Sequence, residues 1–306
     1  MWNYVIPHFT SFLQELQPST DDYKDAFGKA ERIAKSLFSK YYPNLIFDPQ
    51  SYMVVGSVGK GTAAKPRTDV DMLFILPVEE FGRINTLQNN KQSQLLREVK
   101  EKLIWTFPKT DIVQDGQIVL VPFDTYSVEV VPAFRYDNTG LFVTPHTGDG
   151  GSWRLSNPTA EYNYVNVTDR TTNWKATHLT TMLKAWNREC HVGFKSVSLE
   201  VAATEFIKQW HNRDKTIYWY DWMVRDFFAF MYPYVNGRSR IIGTEEWIDL
   251  GDSWRTKLQT AYANALKACD YEKADDGLSA CWEWQKIFGN QFRATMHYIP
   301  MLAAAP

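Results

Sequence analysis

Two aspartates one residue apart, Asp69 and Asp71, open the apolar run Met72-Leu73-Phe74-Ile75-Leu76. The glycine-rich stretch Gly56-Ser57-Val58-Gly59-Lys60-Gly61-Thr62 lies just before them. On a strand, with its side-chain period of two, both carboxylates point to one face while Val70 and Met72 point to the other. Like charges side by side at the edge of an apolar sheet are costly unless a cation sits between them, and Mg²⁺ with nucleotide phosphates meets that need. The three glycines allow a sharp turn and a close approach of backbone to ligand. Ser57, Lys60 and Thr62 offer two hydroxyls and a cation to phosphate oxygens. Either half alone is compatible with a hairpin corner carrying solvated acids. In this order and spacing they predict metal-dependent nucleotidyl transfer.

Two-metal phosphoryl transfer commonly uses a third acid near the pair. The best candidate lies in Tyr126-Ser127-Val128-Glu129-Val130-Val131-Pro132-Ala133-Phe134, where Glu129 alternates against Val128 and Val130 and so projects from one face of a strand rich in β-branched residues. Asp124, at a turn-like position after Pro122-Phe123, is a weaker rival. The expected metal ligands are therefore Asp69, Asp71 and Glu129, around two Mg²⁺ ions with Mn²⁺ as a substitute.

The elements that must position these residues are legible as patterns. Ser19-Thr20 reads as an N-cap with Asp21 and Asp22 in the first turn, followed by Tyr23, Phe27, Ala30, Ala34, Leu37 and Tyr41 at helical spacing. Strands are expected near 52–55 and 70–76, a helix around 92–107, and strands near 118–123 and 127–134. That order fits a small mixed sheet with helices on one side. From about Asp169 the period becomes helical, marked by Leu179, Met182, Leu183 and Trp186; by Leu199, Ala203, Phe206 and Trp210; and by Trp222, Met223, Phe227 and Phe230. Two more helices are expected near Ser253 and Ala274. The chain thus reads as α+β with two lobes, residues 1–165 and 166–306, and a ligand cleft between them.

With 306 residues, 44% hydrophobic and 22% charged, the chain is expected to be a soluble globular protein of one large or two packed domains. Its 12 Trp, 16 Tyr and 18 Phe imply a large core. No apolar run approaches the length of a membrane span, and the amino terminus lacks a basic and an apolar targeting region, so a cytoplasmic protein without membrane partners is expected. Three scattered cysteines, Cys190, Cys269 and Cys281, exclude a disulfide framework. A zinc site using them with His191 matches no compact spacing, and buried reduced thiols are the expectation. A net charge of -2 without a lysine/arginine cluster argues against duplex nucleic acid as a partner, while Lys60, Lys65 and Arg67 can still hold a small triphosphate.

On Gly56-Ser57, Gly61-Thr62, Asp69-x-Asp71 and the strand Glu129-Val130-Val131-Pro132, the chain resembles the DNA polymerase β nucleotidyltransferase superfamily. More narrowly it resembles the bacterial cyclic-oligonucleotide synthases related to cyclic GMP-AMP synthase, the CD-NTases. The resemblance spans nearly the whole chain. It implies a bilobal fold with a nucleotidyltransferase sheet lobe and an all-helical lobe, joined by the helix near 20–42 as an N-terminal spine. It also implies that Asp69 and Asp71 ligate both metals and Glu129 the one nearer the attacking hydroxyl. Gly56, Ser57, Lys60 and Thr62 then belong to nucleotide binding, with Lys184 and Ser196 closing on the triphosphate from Met182–Trp186 and Phe194–Glu200. Relatives often carry Asp at the position of Glu129, and Val197 stands where they carry a base-stacking tyrosine, so Tyr162 or Tyr164 is expected to cover the base.

The activity implied is the joining of ATP, with or without other nucleoside triphosphates, into a cyclic oligonucleotide with release of pyrophosphate. The product would act as an antiphage second messenger on a separately encoded effector, with a regulatory protein partner and without switching by DNA. Two other readings remain: a nucleotidyltransferase that modifies an RNA end or a protein hydroxyl, and an inactive nucleotide-binding module. The missing basic surface argues against RNA, and a pure binding module has no need of two aspartates on one face.

Overall fold

Two alternating apolar runs become neighbouring parallel strands, and the first half of the molecule is built around them. The computed structural model describes residues 2–66 and 69–294. Strand β1 (Tyr52–Val54) pairs antiparallel with β2 (Asp69–Ile75), which pairs parallel with β5 (Ser127–Arg135). Beyond β5 the sheet continues antiparallel through β4 (Ile118–Pro122) to β3 (Val113–Asp115). The far end of β5 also pairs with β6 (Phe142–His146), which carries β7 (Ser152–Ser156).

Alternation decides the two faces of this sheet. Val70, Met72, Phe74, Val128 and Val130 are buried in one core with Ala30, Ile33 and Leu37 of α2 (Thr20–Tyr41) and Leu95, Val99 and Leu103 of α5 (Lys91–Thr106). Leu73, Ile75, Ala133 and Phe142 form a smaller cluster that takes the alternate positions of the strands. Asp69, Asp71 and Glu129 share the phase of that second set, so the helices cover one face and leave the acids on the other. Helix α2 starts as expected: the Ser19 hydroxyl accepts from the Asp22 N–H at 3.1 Å, and the Asp22 carboxylate accepts from the Ser19 N–H at 2.7 Å.

Between β1 and β2 the chain makes a single helical turn, α3 (Gly56–Lys60), and α4 (Val78–Asn85) follows β2. A second apolar core unites α1 (Val5–Leu16) with α7 (Lys175–Glu189), α8 (Ser196–Gln209), α9 (Tyr220–Met231), α10 (Arg255–Lys273) and α11 (Gly277–Phe288). Within it Phe9, Trp186, Phe227 and Trp284 are fully buried. A short hairpin, β8 (Arg238–Arg240) and β9 (Trp247–Asp249), belongs to the same part of the chain. Among the described residues no helix is long and apolar enough to cross a membrane. Cys269 and Cys281 are buried, Cys190 is half-buried, and all three are free thiols.

The fold is α+β, with a sheet unit and a helical unit. The sheet unit comprises Pro18–Asn166 with Ile242–Glu245, and the helical unit residues 2–17, Val167–Ile241 and residues 246–294. The expected lobes met at 165/166, and the chain passes from one unit to the other after Asn166, inside α6 (Pro158–Thr172). Residues 2–17 belong with the helices: Val5, Phe9, Phe12, Leu13 and Leu16 face the helical core. The sequence reading placed no element there.

Candidate functional site

The parallel register sets Asp69 opposite Ser127 and Asp71 opposite Glu129. One carboxylate oxygen from each of Asp69, Asp71 and Glu129 lies within 4.8 Å of the other two. Glu129, and not Asp124, therefore completes the cluster. The Glu129 carboxyl is pushed up to about 7 by burial first, then by the charges of Asp71 and Asp69 and a hydrogen bond with Asp71. Three hard oxygen donors that repel one another across so small a space fit a divalent cation with a preference for oxygen.

The glycine-rich stretch is built against this cluster. Val55 donates its N–H to the Asp71 carbonyl at 2.9 Å, which ties the start of α3 to β2. At Gly56 (φ +60°) a Cβ would lie 1.8 Å from Asp71 Oδ2, so only glycine lets the turn pass the carboxylate. At Gly59 a Cβ would lie 2.3 Å from the Val54 carbonyl oxygen. Gly61 (φ +74°) ends the turn in the left-handed conformation, and Thr62 donates its N–H to the Ser57 carbonyl at 2.9 Å.

The side chains expected at phosphate divide into two groups. Ser57 is half-buried in the first turn of α3, and Ser196 is exposed as the first residue of α8, the residue before it, Lys195, being the N-cap. Thr62 is fully buried. Lys60 donates from Nζ to Glu161 Oε2 at 2.8 Å with its side chain only 8% exposed. Lys184 donates to Glu200 Oε1 at 3.1 Å, within the helical unit. Arg67 lies outside the described residues, as does Thr68. Of the two tyrosines expected to cover a base, Tyr162 shares a cavity of about 230 Å³ with Gly56, Gly59 and Lys60, and Tyr164 does not line it. Sequence reasoning missed Glu161 and assigned no role to Glu200 beyond its segment. Glu161 stands 101 residues from Lys60, and no local pattern announces such a pair.

Residues 4–168 match the domain described as Second Messenger Oligonucleotide or Dinucleotide Synthetase, SMODS. No curated protein matches the chain by sequence. In fold the chain is similar to the E. coli MS115-1 CdnC in its complex with HORMA-deltaN, at 16% identity, 94% of this chain and 97% of that chain covered, and a TM-score of 0.66. It is similar to the Vibrio cholerae cyclic AMP-GMP synthase DncV in complex with a linear intermediate, at 13% identity, 92% and 93% coverage, and a TM-score of 0.68. A third similar structure is the STING-associated CdnE c-di-GMP synthase of Capnocytophaga granulosa, at 15% identity, 86% and 87% coverage, and a TM-score of 0.62. The domain match takes in more than half of the residues, and the chain belongs to the SMODS family, the bacterial CD-NTases, as a nucleotidyltransferase that makes cyclic oligonucleotides.

Proposed function

We propose that this nucleotidyltransferase joins ATP, with or without other nucleoside triphosphates, into a cyclic oligonucleotide in a Mg²⁺-dependent reaction that releases pyrophosphate. The observation that carries the reading is the convergence of Asp69, Asp71 and Glu129 within 4.8 Å on the face of the sheet opposite the α2 and α5 core. These three carboxylates would hold two Mg²⁺ ions, with Mn²⁺ as a substitute. When bound, the metal supplies charge for the triphosphate and lowers the pKa of the attacking ribose hydroxyl.

The chain's own residues do the rest. Asp69 and Asp71 orient through their fixed register on β2. Glu129, its carboxyl pushed to about 7 by burial and by the charges of Asp71 and Asp69, would complete the ligand set from the neighbouring strand. We assign Ser57, Lys184 and Ser196 to the triphosphate, and Gly56, Lys60 and Thr62 to the shape of the loop that receives it. Lys184 pairs with Glu200 with only 11% of its side chain exposed, so its assignment to pyrophosphate rests on the resemblance and requires that pair to open. We propose that the sheet unit is the catalytic lobe, in place of residues 1–165, and that the helical unit, which takes residues 2–17 as well as most of 166–306, is the lobe that closes on the nucleotide.

In the cell we propose a cytoplasmic enzyme whose product activates a separately encoded effector in antiphage signalling. The E. coli MS115-1 relative is seen with HORMA-deltaN, which supports a protein as regulator here too. Duplex nucleic acid and membrane are not proposed as partners, in line with a net charge of -2. Incubation with the four ribonucleoside triphosphates and Mg²⁺ is expected to yield a phosphatase-resistant oligonucleotide. Label transferred only to a protein or an RNA end would replace this reading.

A further inference from the structure

We infer that Glu161 is a positioning residue of the catalytic site: its ion pair with Lys60 tethers the turn α3 against Asp71, and Lys60 acts through that tether and not as a phosphate ligand. The inference rests on the catalytic reading above and adds a residue to it. Four features of the sheet unit carry it.

The turn cannot hold itself. It is five residues long, contains two glycines, and buries one apolar side chain, Val58. An isolated turn of that composition is unstable, so its place is set by whatever grips it from outside. On the side that faces α6, Gly56, Gly59 and Lys60 line the cavity of about 230 Å³ together with Thr159, Glu161 and Tyr162. Beside that cavity the 2.8 Å contact from Lys60 Nζ to Glu161 Oε2 joins the turn directly to α6.

The pair is also shielded from exchange with a ligand. The side chains of Lys60 and Glu161 are 8% and 21% exposed. Drawing the ammonium away to a phosphate would leave a carboxylate uncompensated in a poorly solvated place. Glu161 is itself anchored, because Asn157 accepts from the N–H groups of Ala160 (3.0 Å) and Glu161 (3.1 Å) at the start of α6. Finally, the far end of the turn has no slack. Gly56 passes so close to Asp71 Oδ2 that even a Cβ does not fit, and a drift of the turn moves or frees a carboxylate of the acid cluster.

The test compares Lys60→Glu, Glu161→Lys and the exchanged pair Lys60→Glu/Glu161→Lys. Amide hydrogen exchange of residues 56–62 is measured without nucleotide, and kcat and KM for ATP are measured with Mg²⁺. Each single variant is expected to speed exchange in 56–62 and to lower kcat about a hundredfold or more. The exchanged pair is expected to restore slow exchange and to bring kcat to within about tenfold of the wild type. Slow exchange with kcat still at the Lys60→Glu level would overturn the inference, since Lys60 would then be needed at phosphate. Unchanged exchange in both single variants would overturn it as well. If a charge-reversed variant does not fold, Glu161→Gln supplies both readouts with less disruption. A wild type that makes no product would refute the proposed function, and the exchange measurements would still decide the tether.

Discussion

Replacing Glu129 with glutamine separates the electrostatic burden of the acid cluster from its chemistry. In the folded chain the Glu129 carboxyl is raised from 4.5 to about 7, by burial and by Asp71 and Asp69 beside it. Below pH 4.5 it is protonated in both folded and unfolded chains and has no effect on stability. As pH rises past 4.5 the unfolded chain ionises first, so the fold loses stability until about pH 7, where the native carboxyl ionises too. A rise of that size corresponds to roughly 3 kcal/mol, and with about half of the group open to screening water the expected loss is about 1–2 kcal/mol.

Glutamine keeps the shape and never takes the charge. Glu129→Gln is therefore expected to gain about 1–2 kcal/mol over the wild type at alkaline pH, or roughly 2–8 °C in Tm for a unit of this size, with no gain near pH 4. Thermal unfolding in EDTA at both pH values measures this directly. Added Mg²⁺ should narrow the gap by stabilising the wild type more than the variant. A variant that gains nothing at alkaline pH, or gains equally at both, would refute the reasoning about how the three carboxylates interact.

Gly56→Ala is expected to lower turnover by about a hundredfold, because its Cβ would stand 1.8 Å from Asp71 Oδ2 and displace the ligand. Unchanged kcat would show that the close approach is not needed. In the helical unit, Asp221 is fully buried, and burial, with Glu272 nearby, pushes its carboxyl up to about 7 against the lowering effect of the Trp222 backbone N–H. Its raised value makes the wild type lose stability as pH climbs from about 4 to about 7, and Asp221→Asn should abolish that loss while leaving stability at acid pH nearly unchanged. Urea midpoints across that range check it, and a variant with the wild-type slope would contradict it.

The acid cluster was legible because it depends on two short-range rules. Strand alternation placed Asp69 and Asp71 on one face and lifted Glu129 out of a run of valines, and pairing of those strands in register is what unites all three. Ser19 was readable as a cap because its partner Asp22 is three residues away. The elements missed were short or disguised. Strand β6 carries Pro145, and the β6–β7 connection runs through Gly148–Gly151, so the stretch reads as loop. Strand β3 has three residues, too few for a period to show. Helix α1 was visible in the spacing of Val5, Phe9, Phe12, Leu13 and Leu16, but that stretch was read for targeting signals and not for period. The surroundings of Lys60 and Thr62 were hidden for a different reason. Burial of Thr62 and the Glu161 partner of Lys60 arise from tertiary approach, which leaves no trace in local sequence.

Asp69, Asp71 and Glu129 are proposed here as the reaction centre of a cyclic-oligonucleotide synthase. The most direct measurement compares wild type with the Asp69→Ala/Asp71→Ala double variant, each incubated with the four ribonucleoside triphosphates and Mg²⁺, treated with phosphatase and analysed by mass spectrometry. A phosphatase-resistant cyclic product is expected from the wild type and none from the double variant. The same product formed undiminished by the double variant would contradict that assignment.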